Sequence, residues 1–270
     1  MCCRAPVVPS RAIRAAALLL LLAASGSSAP VDGDVVVFGA SSLTNVLQDA
    51  AAAFGRRSGV RVLVNVGASN SQARQIVEGA PADVFCSANE AQMTRVERAG
   101  LLLAGTRATL ATNQLVVIVP AAHARAIDGP RALLDPGFAR IAVGDPSAVP
   151  VGVYTKGYLE RVGLWAELQP RLVPTVNVRA ALAAVDSGNA DAAFVYATDA
   201  ALARRAAVAY RVPTELAPPI RYPGAATTGG RNAAGGRRFL AFLLSPAGQA
   251  IFHRFGFSPA APVAPSRRRP

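Results

Sequence analysis

Histidine, lysine and pairable cysteine are nearly missing from this 270-residue chain. The two histidines, His123 and His253, have no second histidine or cysteine at metal-ligand spacing, which argues against a zinc site. The same scarcity leaves a Ser-His-Asp triad without a suitable base, and no Gly-x-Ser-x-Gly elbow is present. Asp and Glu together number only 16 and sit mostly on predicted helix faces, so a non-enzyme is expected. Of 28 basic residues only Lys156 is a lysine, a skew that points to gene base composition more than to a selected surface. The arginines are scattered and not interleaved with aromatics, so the footprint of a nucleic-acid binder is absent. No apolar run is long enough to span a bilayer. The glycine-rich stretch 229–236 lacks the Gly-Lys-Ser/Thr ending of a phosphate loop.

What is present at the start of the chain is an export signal. Arg4, Arg11 and Arg14 precede the apolar run Ala15 to Ala24 and then small residues to Ala29, the three regions of a cleaved secretory peptide. Residues 1–29 are therefore set aside. Cys2 and Cys3 precede the apolar run, which does not fit a lipoprotein anchor. Cys86 is then the only remaining cysteine, so an internal disulfide is impossible and Cys86 is expected to be a small buried strand residue. Stability must come from the core, and a chain that is 52% hydrophobic can supply one. The formal charge of +12 implies no more than a weak general attraction for anions.

The chain reads as repeated strand-helix units. Val35 to Phe38 is a strand, and after Gly39-Ala40-Ser41-Ser42 apolar residues recur at Leu43, Val46, Leu47, Ala50 and Phe54, one face of a helix. Val60 to Val66, then Gly67-Ala68-Ser69-Asn70 and a helical pattern at Ala73, Ile76 and Val77, repeat the design. Serine at such a turn is ordinarily a helix cap. Two such turns in succession also make an anion seat, because free N–H groups and the positive helix end point outward there. Ala82 to Ser87 and Glu90 to Ala99 give a third unit, so parallel strand neighbours are expected.

A second series follows the buried strand Leu115 to Val119. Ile141 to Val143 leads through a long turn, Gly144 to Gly152, into a helix; Leu172 to Asn177 leads into another at Val178, Ala181, Leu182 and Val185; Ala192 to Tyr196 is a strand. Val151 and Val178 open their helices, so their N–H groups have no partner within the helix. Val208 to Tyr222 reads as extended and proline-broken, and the last helices lie around Phe239 to Leu243 and Pro246 to Phe255.

With Ala40-Ser41-Ser42-Leu43-Thr44, Ala73-Arg74-Gln75-Ile76, Gly79-Ala80-Pro81-Ala82-Asp83, Val143-Gly144-Asp145-Pro146, Val149-Pro150-Val151-Gly152 and Phe255-Gly256-Phe257 in view, the chain from about Val35 to Phe257 resembles the periplasmic molybdate-binding components of ABC importers. The resemblance implies an α/β, two-lobed type II periplasmic binding fold with the ligand cleft between lobes joined by two crossing strands. Lobe 1 would take residues 30–112 and 211–260, lobe 2 residues 113–210, and 261–270 would be a disordered tail. It further implies that a tetrahedral dianion is held by hydroxyls and amides alone: the hydroxyls of Ser42, Ser69 and Tyr196 and the amides of Val151 and Val178. Molybdate or tungstate is the implied ligand, with no cofactor, and molybdenum enters only as the oxyanion. The implied setting is a periplasmic monomer serving a membrane permease, without nucleic acid. Sulfate or thiosulfate binding is the rival within the class, and a secreted serine hydrolase the rival outside it.

Overall fold

The computed structural model describes residues 33–124 and 126–260; the expected leader, the tail and the His123 side chain lie outside the described residues. The first series is β1 (Val35–Ala40), α1 (Thr44–Ser58), β2 (Val62–Gly67), α2 (Ser69–Val77), β3 (Val84–Cys86), α3 (Glu90–Arg98) and β4 (Ala108–Asn113). Single residue Gln114 separates β4 from β5 (Leu115–Pro120). The second series is β6 (Ile141–Gly144), α4 (Pro150–Arg161), α5 (Trp165–Leu168), β7 (Leu172–Thr175), α6 (Val178–Asp186), β8 (Ala192–Tyr196), α7 (Ala197–Ala200) and β9 (Ala206–Arg211). The chain closes with β10 (Ile220–Ala226), α8 (Ala233–Leu244) and α9 (Pro246–Arg254).

Two five-stranded sheets result, ordered β2-β1-β3-β10-β4 and β7-β6-β8-β5-β9. As the strand-helix repeats predict, β1 pairs in parallel with β2 and β3, and β6 with β7 and β8. The sheets are nevertheless mixed: β10 runs antiparallel to β3 and β4, and β5 antiparallel to β8 and β9. β4, a strand not expected from the sequence pattern, pairs with β10, and its half-polar pattern of Thr109, Thr112 and Asn113 explains why hydrophobic alternation did not reveal it. The chain crosses between sheets at Asn113–Leu115 and again between β9 and β10.

The apolar faces read from sequence are the buried ones. Val46, Leu47, Ala50 and Phe54 of α1 and Val178, Ala181, Leu182 and Val185 of α6 pack inward. Every residue of β8, and β5 up to Val119, is buried, so the middle of the second sheet is covered on both faces. Cys86 is fully buried, and burial pushes its thiol pKa up to about 12, consistent with an inert core position. Edge-on aromatic contacts join Tyr154, Tyr196, Tyr222 and Phe257, with centroids 6.5, 5.8 and 5.3 Å apart along the row. This row runs from α4 over the second sheet to β10 in the first, beside the crossing segments.

Candidate functional site

Parallel strands followed by helices place their turns on one edge of a sheet. Here the C-terminal ends of β1, β2 and β3 carry Ser42, Ser69 and Ala88, and those of β6, β7 and β8 carry Val151, Val178 and Tyr196. All six converge: Ala40, Ser41, Ser42, Ala68, Ser69, Ala88, Val149, Pro150, Val151, Val178 and Tyr196 line one small, tight pocket. The five residues singled out from the sequence are therefore brought together, and each is at most 3% exposed.

The two serines are not helix caps, contrary to the ordinary reading of such turns. Neither α1 nor α2 has a side-chain cap; their N-cap positions are Leu43 and Ala68, and Ser42 sits in a short 3-10 turn, Ser41–Leu43. Asn89 and Asn177, by contrast, do cap α3 and α6, accepting from Gln92 N at 3.1 Å and Ala180 N at 3.0 Å. Ser69 Oγ accepts from Ala88 N at 2.9 Å, so its own proton remains to be donated. Ser42 Oγ and Tyr196 Oη are buried and make no hydrogen bond of ordinary geometry among the described residues, the Tyr222 hydroxyl being the group nearest to serving Ser42. Orphaned buried hydroxyls are costly, and two of them facing one cavity mark a place built for something else.

The two amides are set by their turns. Asp145 Oδ1 accepts from Ser147 N at 2.8 Å and Ser147 Oγ at 2.7 Å, fixing the turn before α4 and holding the Asp145 carboxyl below its usual pKa. Pro150 occupies the first turn of α4, where its missing N–H costs nothing. Gly152 is required for close approach: a Cβ there would lie 1.8 Å from Gly144 O. Gly144 in turn makes room for the side chains of Val149 and Val151, since a Cβ on it would meet their Cγ1 atoms at 2.6 and 2.7 Å. Thus Val151, a β-branched residue, packs onto β6 while its amide faces the cavity end of the helix. Among the described residues neither Val151 N nor Val178 N has a protein acceptor.

The electrostatics favour a fully deprotonated anion. The lining contains hydroxyls, amides and apolar side chains, with no carboxylate to repel it and no cationic group. Four helix starts contribute positive dipole ends. Burial first, then Tyr222, Tyr154 and Asp199, holds the Tyr196 pKa well above that of free tyrosine, so the hydroxyl keeps its proton. His253 is exposed and does not line the cavity, which leaves Ser42 and Ser69 without that histidine as a base. Sequence reasoning overlooked the contribution of Ala88, although the third strand-helix unit pointed to that same sheet edge. It also passed over Arg179 and Asp199, which carry no motif of their own.

A two-sheet α/β protein whose strand-end turns meet at one small pocket has the architecture of the two-lobed periplasmic binding proteins. Residues 35–258 match the family described as bacterial extracellular solute-binding protein, and the chain belongs to that family. It is 38% identical to the molybdate-binding protein ModA of Escherichia coli (strain K12), over 87% of this chain and 93% of that one. It is 34% identical to ModA of Haemophilus influenzae, over 86% and 93%. Among solved structures, the Azotobacter vinelandii periplasmic molybdate-binding protein superposes with a TM-score of 0.76 at 27% identity, over 84% of this chain and all of that one.

Proposed function

We infer that this protein is an exported, non-enzymatic carrier that captures molybdate or tungstate and delivers it to a membrane ABC importer. The observation that carries the reading is the convergence of Ser42, Ser69, Val151, Val178 and Tyr196 on one cavity, with two buried hydroxyls that make no hydrogen bond of ordinary geometry. In this reading the Ser42, Ser69 and Tyr196 hydroxyls and the Val151 and Val178 amides each donate to one oxyanion. Molybdate, tungstate and sulfate carry no proton at neutral pH and suit a shell of donors, whereas hydrogenphosphate would need an acceptor for its O–H. Sulfate has shorter bonds to oxygen, so donors fixed on both sides of the cavity fit the larger anions better.

The lobes that close on the anion are taken as residues 30–112 with 211–260, and 113–210. Donors from both lobes then make the anion a bridge, and binding favours closure. The closed monomer is what the permease would recognise. A thermal-shift series with molybdate, tungstate, sulfate and phosphate at matched ionic strength tests the reading, since a ligand at 100 times its dissociation constant adds about 2.7 kcal/mol of stability. A shift with molybdate and tungstate is expected; no shift with any of the four would overturn it.

A further inference from the structure

Arg179 follows Val178 in α6 and reaches away from its own sheet. Its Nε lies 2.5 Å from Asp199 Oδ1, on the short helix α7 three residues beyond Tyr196. Its Nη2 donates to Asn45 Oδ1 at 3.1 Å and approaches the Ser42 carbonyl oxygen at 3.5 Å. Asn45 and Ser42 belong to the turn and helix that leave β1, in the other sheet. One guanidinium thus touches the backbone of one proposed donor residue, is the chain neighbour of a second, and is ion-paired next to the strand end that carries a third.

An ordinary ion pair does not account for this arrangement. Asp199 is completely buried while the Arg179 side chain is 28% exposed. A buried carboxylate requires a cation, and Arg179 supplies that charge through Nε, although neither Asp199 oxygen gains an aligned hydrogen bond. The contacts to Asn45 and Ser42 are additional and run between the two sheets. A guanidinium is a rigid planar fork, so using one edge on Asp199 and its tip on Asn45 fixes a distance that a lysine could not fix. Asp199 offsets the charge of Arg179, so what the pair supplies at the cavity is spacing, not a net positive field.

We propose that Arg179, anchored by Asp199 and engaged with Asn45, is a positioning residue that sets the span between the Ser42 and Val178 sides of the closed site, and thereby the size of oxyanion that fits. This rests on the oxyanion-binding reading above. With the span held, an anion of molybdate size reaches donors on both sides, while sulfate leaves some of them unengaged. With the span loosened, the closed state is less stable and the advantage of the larger anion shrinks.

The test uses the full-length mature protein and two variants, N45A and R179Q, with R179K for comparison. N45A removes the shorter of the two contacts that Arg179 makes to the other sheet, leaving the long approach to the Ser42 carbonyl and keeping the Arg179–Asp199 pair, so it decides the matter even if R179Q, which strands a buried carboxylate, folds poorly. Stopped-flow dissociation and competition calorimetry with molybdate and sulfate are the readouts. N45A is expected to raise the molybdate dissociation constant about tenfold, the equivalent of one charge-assisted hydrogen bond, mostly through faster dissociation. The molybdate-to-sulfate preference should narrow, R179K should fail to restore it, and the unfolding midpoint of the ligand-free protein should stay within about 2 °C of wild type, a shift expected of well under 1 kcal/mol changes. Wild-type molybdate affinity and preference in N45A, or an equal loss for both anions, would overturn the proposal. If wild-type protein itself binds no molybdate, the oxyanion reading fails instead, so the two failures are distinguishable.

Discussion

Replacing Tyr196 with phenylalanine separates packing from ligation. The ring sits between Tyr154 and Tyr222, at centroid distances of 6.5 and 5.8 Å with interplanar angles of 70° and 67°. Phenylalanine keeps both edge-on contacts. What is lost is a hydroxyl that is buried and unpartnered among the described residues. In the empty protein that hydroxyl contributes nothing favourable, so Y196F should leave the unfolding free energy unchanged or raise it by about 1 kcal/mol. If, as proposed, the same hydroxyl donates to the bound anion, its loss should cost about 1.5–3 kcal/mol, roughly a 10- to 150-fold weaker dissociation constant. The two effects have opposite sign or at least very different size. Scanning calorimetry of the empty protein paired with titration calorimetry of molybdate reads both. A lower midpoint in the ligand-free protein with intact binding would make Tyr196 a packing residue and not a ligand.

Ser42→Ala should weaken molybdate binding by about 1.5–3 kcal/mol with little change in the ligand-free protein's stability, because its Oγ makes no hydrogen bond of ordinary geometry there. Ser69→Ala should weaken binding similarly but also lower stability by about 1–3 kcal/mol in urea melts, because the buried Ala88 N–H loses its acceptor. Gly152→Ala forces a Cβ to 1.8 Å from Gly144 O and should destabilise the fold by about 1–3 kcal/mol or more while displacing the Val151 amide, both visible in a melt and a titration. With the Tyr196 pKa held well above 10 and the other donors non-titrating, molybdate affinity should be flat from about pH 7 to 9; a fall across that range would show an ionising group in the site. Burial raises the Asp199 pKa from 3.8 to about 6, against the pull of Arg179, so the folded protein holds a proton that the unfolded chain releases between those values. The stability of wild type relative to D199N should therefore rise as pH falls from about 6 to 4. A difference that falls instead, measured by denaturant melts at several pH values, would contradict this sign.

The strand-helix repeats were legible because burial on both faces writes itself as short apolar runs, as in Leu115 to Val119 and Ala192 to Tyr196, and helix faces recur with regular spacing. The antiparallel strand β4 was not, and β10 was read as extended only as far as Tyr222. β4 alternates small and polar residues, and β10 contains Pro223, where the register with β4 shifts. Their places depend on pairing partners more than a hundred residues away, which local patterns do not encode. At the site, the five residues named from sequence converge on one cavity because their turns all follow parallel strands. Their serines looked like caps, and only tertiary structure shows that Ser69 accepts from Ala88 while Ser42 is left open. Arg179 and Asp199 stand 20 residues apart in sequence with no motif to join them, so their pairing was invisible before the fold was known.

The central claim is that one tetrahedral dianion is held by neutral donors whose spacing, not charge, selects it. Competition titration calorimetry of the wild-type protein with molybdate, tungstate and sulfate tests this most directly. One anion should bind per chain, with molybdate and tungstate within about tenfold of each other, or about 1.4 kcal/mol, and sulfate far weaker. Displacement of bound molybdate by an equal concentration of sulfate would contradict it.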